Sequence, residues 1–160
     1  MRKDEKSGRW GELIFELKDA KTGELIRRWK QKNLLTNANG TQFQRMLRGQ
    51  SFDMTLAYFA VGSGTTPAKR SDVRLETEQF RKQVTQTSAS SSGTDFRVTS
   101  VCSLAADEAN FPIREVGVFC GASATTAANT GTLISRVLAD FEKNSNQILN
   151  IYRVDHLVLG

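Results

Sequence analysis

Phe96-Arg97-Val98-Thr99-Ser100-Val101-Cys102-Ser103-Leu104 is the stretch that decides the fold class. Phe96, Val98, Cys102 and Leu104 share one parity, while Arg97, Thr99 and Ser103 share the other. Such alternation places apolar and polar residues on opposite faces of a β-strand. Phe80 to Thr87 reads as its partner, with Ser88-Ala89-Ser90-Ser91-Ser92-Gly93-Thr94 between them. The expectation is a long hairpin with a mobile Ser-rich tip.

Toward the C-terminus, Ile113-Arg114-Glu115-Val116-Gly117-Val118-Phe119-Cys120 is a further strand, followed by a small-residue loop from Gly121 to Gly131. Thr132 to Phe141 and Ile148 to Leu159 are two more strands, joined around Asn144-Ser145-Asn146. Toward the N-terminus, Leu56 to Val61 reads as a buried strand that ends at Gly62-Ser63-Gly64-Thr65-Thr66-Pro67. Earlier still, Leu13 to Leu17 and Leu25 to Trp29 flank Lys18-Asp19-Ala20-Lys21-Thr22-Gly23-Glu24. There Asp19 opens a turn and Gly23 supplies a positive φ, so a hairpin is expected. Trp10 and Trp29 are expected near one another across it.

One segment changes period. Thr36 or Asn37 can cap a helix, Phe43, Met46 and Leu47 recur at i, i+3 and i+4, and Gly49 is a natural stop. A helix is therefore expected near 37–48. The whole reads as one domain over 1–160, mainly β, an antiparallel β-sandwich-like fold with one α-helix and an N-terminal β-hairpin. Within it, 1–32 form a basic leader and hairpin, and 33–160 the helix and sandwich.

Charge is unevenly placed along the 160 residues. Residues 1–50 hold 12 Lys and Arg against 6 Asp and Glu, a balance of +6, and the other 110 hold 10 against 11, so the net +5 belongs to the N-terminal third. Arg27, Arg28 and Lys30 cluster there around Trp29, and with Trp10 they form the candidate docking element. Cations beside an aromatic also suit nucleic acid, but Trp29 alternates with the charges as a half-buried strand residue does, so nucleic acid is not the expected partner. No apolar run approaches the ~20 residues of a membrane helix, and the charged start leads into no secretory apolar segment. Assembly in a cytoplasm follows as the expectation.

Motifs with chemistry are sparse. Gly62-Ser63-Gly64-Thr65-Thr66 lacks the Lys-Ser/Thr of a phosphate-binding P-loop, and Pro67 follows instead. His156 is the one histidine, and Asp155 beside it points to the opposite strand face, away from the imidazole. Asp107, Glu108 and Glu115 are the densest acidic group, with Phe111 the one aromatic near them, poor material for a sugar-cleaving carboxylate pair. Cys102 and Cys120 read as buried thiols on neighbouring strands, bonded or free, with no second pair for a metal cage. No catalytic, cofactor-binding or metal-binding residue is therefore assigned, and no cofactor is expected. Glu115, in an apolar strand, requires a cation, and Arg81 or Arg136 is the expected partner in a structural ion pair.

Several short strings occur in order over residues 33 to about 155. They are Asn33-Leu34-Leu35-Thr36-Asn37-Ala38, Ala60-Val61-Gly62-Ser63-Gly64-Thr65-Thr66-Pro67-Ala68, Glu78-Gln79-Phe80-Arg81-Lys82, Ile113 to Phe119, and Gly131-Thr132-Leu133-Ile134-Ser135-Arg136-Val137. Together they resemble small structural proteins of the tail-fibre, collar or baseplate apparatus of tailed bacteriophages. Asn39 before Gly40 and the long Gly121–Gly131 loop depart from that pattern and leave the subfamily open. The resemblance implies a virion protein acting as an assembly or adaptor module, with other virion proteins and symmetry copies of itself as partners. Two alternatives are a capsid decoration or head-fibre base, and a receptor- or carbohydrate-binding module. The latter is disfavoured by the 8% aromatic content, since sugars are gripped by ring faces. The loops Ser88–Thr94 and Gly121–Gly131 are the expected exposed contacts.

Overall fold

A computed structural model describes residues 8–159, so the charged leader lies outside the described residues. It contains ten strands and one helix: β1 (Gly8–Asp19), β2 (Leu25–Lys32), β3 (Leu34–Leu35), α1 (Asn37–Leu47), β4 (Leu56–Gly62), β5 (Glu78–Gln83), β6 (Gln86–Ser92), β7 (Asp95–Leu104), β8 (Pro112–Cys120), β9 (Thr132–Glu142) and β10 (Gln147–Val158). They build two five-stranded sheets, ordered β2-β1-β10-β7-β6 and β3-β9-β8-β4-β5. Every pairing is antiparallel. The fold is mainly β and sandwich-like, with one helix and an N-terminal hairpin.

The alternation that marks each strand also builds the core. Leu13, Phe15 and Leu17 of β1, Leu149 and Ile151 of β10, and Cys102 and Leu104 of β7 face inward from the first sheet. Val116, Val118, Phe59, Val61, Ile134 and Phe141 meet them from the second. Trp29 closes one side, its ring 5.0 Å from both Phe15 and Phe141.

The N-terminal hairpin is not an appendage. β1 pairs with β10 along its whole length, from Gly8 opposite Val158 to Asp19 opposite Gln147. Trp10 and Trp29 do not meet across it. Trp29 lies opposite Phe15 and shares its inward face, whereas Trp10, five positions before Phe15, has the other parity and faces outward. There it stacks on His156 with ring centroids 3.8 Å apart.

The hairpin expected from Phe80 to Leu104 is divided. β5 belongs to the second sheet and β6 to the first, and the chain crosses between them at Val84 and Thr85. The Ser-rich stretch is strand β6, paired with β7 from Gln86 opposite Val101 to Ser92 opposite Asp95. Only Gly93 and Thr94 form the turn, with the positive φ of 59° at Gly93 that a type II′ hairpin demands of its first central residue. Here the two-residue turn fixes the register of β6 against the longer strand β7.

Of the two candidate caps the structure selects Thr36, whose Oγ1 accepts from Asn39 N–H and donates to Leu133 O at 2.6 Å. Its apolar triad does not pack into the core. Met46 and Leu47 are exposed, Phe43 lies under the Arg9 guanidinium at 5.5 Å, and Asn39 is the buried helical residue. No helix among the described residues is long and apolar enough to cross a membrane.

Candidate functional site

The densest polar arrangement lies on the outer face of the second sheet, under the segment that joins β4 to β5. Glu115 sits fully buried on β8, and Arg136 is nearly so on β9. A Glu115 oxygen lies 2.9 Å from both Arg136 Nε and Arg136 Nη2. That oxygen also accepts from Glu76 N–H at 3.0 Å, and the other Glu115 oxygen accepts from Gly64 N–H at 3.1 Å and Thr77 N–H at 2.7 Å. Arg136 further donates to Asp72 at 2.9 Å and to Thr66 O at 3.1 Å. Burial alone would weaken the proton's hold on Arg136, but its bonds to Asp72 and Glu115 outweigh that and raise its pKa. A buried carboxylate is tolerated when its lone pairs are all met, and these are.

This arrangement explains the glycines of Gly62-Ser63-Gly64. A Cβ on Gly64 would lie 2.5 Å from Glu115 Oε1, and one on Gly62 would collide with the Thr77 carbonyl. The strand therefore ends in glycine because a backbone must press against a carboxylate of its own chain. Gly117 serves the same layer, leaving room for Leu75, which is fully buried with Ala60, Phe119 and Leu133.

Arg81 is not a partner of Glu115. It forms a two-pronged pair with Glu78, Nε to Oε1 at 2.5 Å and Nη2 to Oε2 at 3.0 Å, and both side chains are almost wholly buried. Their three-residue spacing would put them on opposite faces of a regular strand. A register shift at Gly62, opposite Glu78, restores them to the same face. Arg81 then donates to Thr125 O and Thr130 O, Glu78 accepts from Asn129 N–H, and the guanidinium lies 4.5 Å over Phe119. The Gly121–Gly131 loop, expected as a free contact, is thus tied to β5 although its residues stay largely exposed.

The acidic group of the sequence does not converge. Glu108 binds Lys82 at 2.6 Å and Ala105 N–H at 2.8 Å, and Glu115 belongs to the Arg136 cluster. Lys143, which carries no sequence signal, is buried and donates to Ala106 O, Glu108 O and Asn110 Oδ1, closing the 105–111 connection. His156 approaches both oxygens of Asp95 at 3.1 Å through Nδ1, and Asp155 turns away to bind Arg153 at 2.7 and 2.8 Å. Cys102 and Cys120 are both free and buried. They stand on different sheets rather than on neighbouring strands, and burial pushes their thiols up to about 12 and about 11. Among the described residues, no group of three or more His, Cys, Asp or Glu side chains is placed to hold a metal ion.

The candidate docking residues are divided between the two sides of the first sheet. Trp29 packs into the core cluster, with Arg27 laid over its ring at 4.4 Å. Arg28 and Lys30 lie on the outer face with Trp10, where Glu16 meets Arg28 at 3.2 Å and Glu12 meets Lys30 at 3.5 Å. The cations that look like a basic patch in sequence are in part balanced by carboxylates of the adjacent strand. No family model, no curated protein and no solved structure matches this chain.

Proposed function

We propose that this chain is a non-enzymatic structural protein of a tailed bacteriophage virion, an assembly or adaptor module of the tail, collar or fibre apparatus. The reading starts from the ordered strings over residues 33 to about 155. One observation carries it furthest: Gly62-Ser63-Gly64-Thr65-Thr66, Ile113 to Phe119 and Leu133 to Val137, far apart in sequence, meet at the Glu115–Arg136 pair. Glu78-Gln79-Phe80-Arg81-Lys82 forms the second polar lock beside them. The strings that carry the resemblance are thus the strings that hold one β-scaffold together, which is what a rigid joint requires. Charged side chains in these clusters are bound to one another and to backbone, leaving a stiff body whose function lies in its surfaces.

Labelling the chain in purified particles of the phage that encodes it tests the reading. Label at the tail, neck or fibre base is the expected result. Label confined to the head moves the protein to a decoration or head-fibre base, and absence from mature particles overturns the structural reading.

A further inference from the structure

The two sheets have four outer edges, and three are defended. β2 carries Arg27, Arg28, Lys30 and Lys32, β5 carries Glu78, Arg81 and Lys82, and β3 is two residues long. Charge and shortness are the devices by which soluble proteins prevent edge-to-edge pairing. β6, the fourth edge, has none of them. Its seven residues, Gln86-Thr87-Ser88-Ala89-Ser90-Ser91-Ser92, carry no charge, no proline and no bulge, and all are exposed. Among the described residues, β6 pairs with β7 alone.

We propose that β6 is an interface at which a second copy of this chain adds its own β6, antiparallel and two-fold symmetric about Ala89, fusing two five-stranded sheets into one. The inference rests on the reading of the chain as an assembly module and names the surface that joins its copies. Three observations select a second copy as the occupant. First, pairing centred on Ala89 is the register that uses the whole strand, placing Gln86 opposite Ser92 of the partner and Thr87 opposite Ser91 of the partner. Every opposed pair is then small or uncharged, so a chain of net charge +5 meets its copy without like-charge repulsion.

Second, the backbone groups are in phase. The two-residue turn at Gly93 and Thr94 makes Ser92 and Asp95 a hydrogen-bonded pair, and bonding alternates along the ladder from there. The N–H and C=O of Thr87, Ala89 and Ser91 therefore point away from β7, toward the incoming strand. Ala89 opposite its own copy is then a hydrogen-bonding pair. Third, an apolar row crosses the seam. Val98, exposed by 40%, lies opposite Ala89 on the same face, and the copy continues the row with Ala89 and Val98 of the partner subunit.

Sedimentation of the full chain over a dilution series tests the proposal, with two variants. Ala89→Pro removes the central N–H but is tolerated on a free edge, where that N–H faces solvent. Ala89→Lys puts like charges opposite one another across the seam. The wild-type chain is expected to sediment as a dimer, and both variants as folded monomers with unchanged circular dichroism. If one variant fails to fold, the other decides. A wild-type chain still monomeric at about 100 μM, a hundredfold above a micromolar Kd, overturns the interface, as does a dimer that survives the substitutions. Particle labelling and sedimentation fail independently: a dimer absent from virions removes the phage reading alone, and a monomer found in virions removes the β6 seam alone.

Discussion

Glu115 on β8 and Arg136 on β9 face each other at 2.9 Å across neighbouring strands, the carboxylate fully buried beneath the segment that leads from Gly62 to Thr77. The pair joins two strands and the covering segment in a single set of bonds. A buried pair of this kind contributes little over a hydrophobic substitute, but removing one partner leaves an uncompensated charge.

Glu115→Ala is accordingly expected to cost about 3–5 kcal/mol. For a chain of this length that lowers Tm by roughly 2–4 °C for each kcal/mol, measured by calorimetry. A loss within experimental error would show that Arg136 finds sufficient partners in Asp72 and Thr66 alone.

Gly64→Ala places a Cβ 2.5 Å from Glu115 Oε1 and from the Glu76 Cβ. The overpacking is expected to cost about 1–3 kcal/mol, read from the urea midpoint. Gly40→Ala is the contrast, since a Cβ there meets nothing within 4 Å in the helix α1. That substitution is expected to stabilise by up to ~1 kcal/mol.

Acid should unfold the protein through its paired carboxylates. Burial raises Asp72, Asp95 and Glu108, but the bonds they accept outweigh it and hold all three below the ordinary range. Those bonds come chiefly from the Lys69 N–H and Arg136 for Asp72, from Arg97 and His156 for Asp95, and from Lys82 and the Ala105 N–H for Glu108. With folded values below unfolded ones, their stabilisation is present above about pH 4 and lost as pH falls through the folded values. The urea midpoint is expected to drop over that window, and the drop should shrink in Asp72→Asn. A midpoint that rises on acidification has the wrong sign for this account.

Cys102 and Cys120 should be silent toward a thiol reagent at pH 8 in the folded chain, being buried and shifted up to about 12 and about 11. Unfolding in urea should release both at once. Rapid modification of either thiol in the native state would place it nearer to solvent than the sandwich allows.

Trp29→Ala should destabilise by about 3 kcal/mol or more, as loss of a core aromatic does, because Trp29 fills space between Phe15 and Phe141. Trp10→Ala removes an indole from the outer face, where it covers His156, and is expected to cost less in the same denaturation assay. Equal costs would contradict the division of the two indoles between opposite faces.

The sequence by itself determined whatever depends on period and on local chemistry. The alternation of Phe96 to Leu104 named a strand, Asp19 and Gly23 named a turn, and Thr36 or Asn37 named a helix start, because each is settled by neighbours a few residues away. The need of Glu115 for a cation was equally legible, since a charge in an apolar strand requires one. Tertiary structure alone decided which cation served. Arg81 and Arg136 look alike in sequence, and the register shift opposite Glu78 directs Arg81 to a different carboxylate. It alone decided, too, that β5 and β6 part into different sheets, that Trp10 and Trp29 lie on opposite faces, and that Lys143 closes a connection of backbone carbonyls. These outcomes turn on strand register, where a shift of one residue exchanges the two faces of a strand, and register is a property of pairs of segments rather than of either segment.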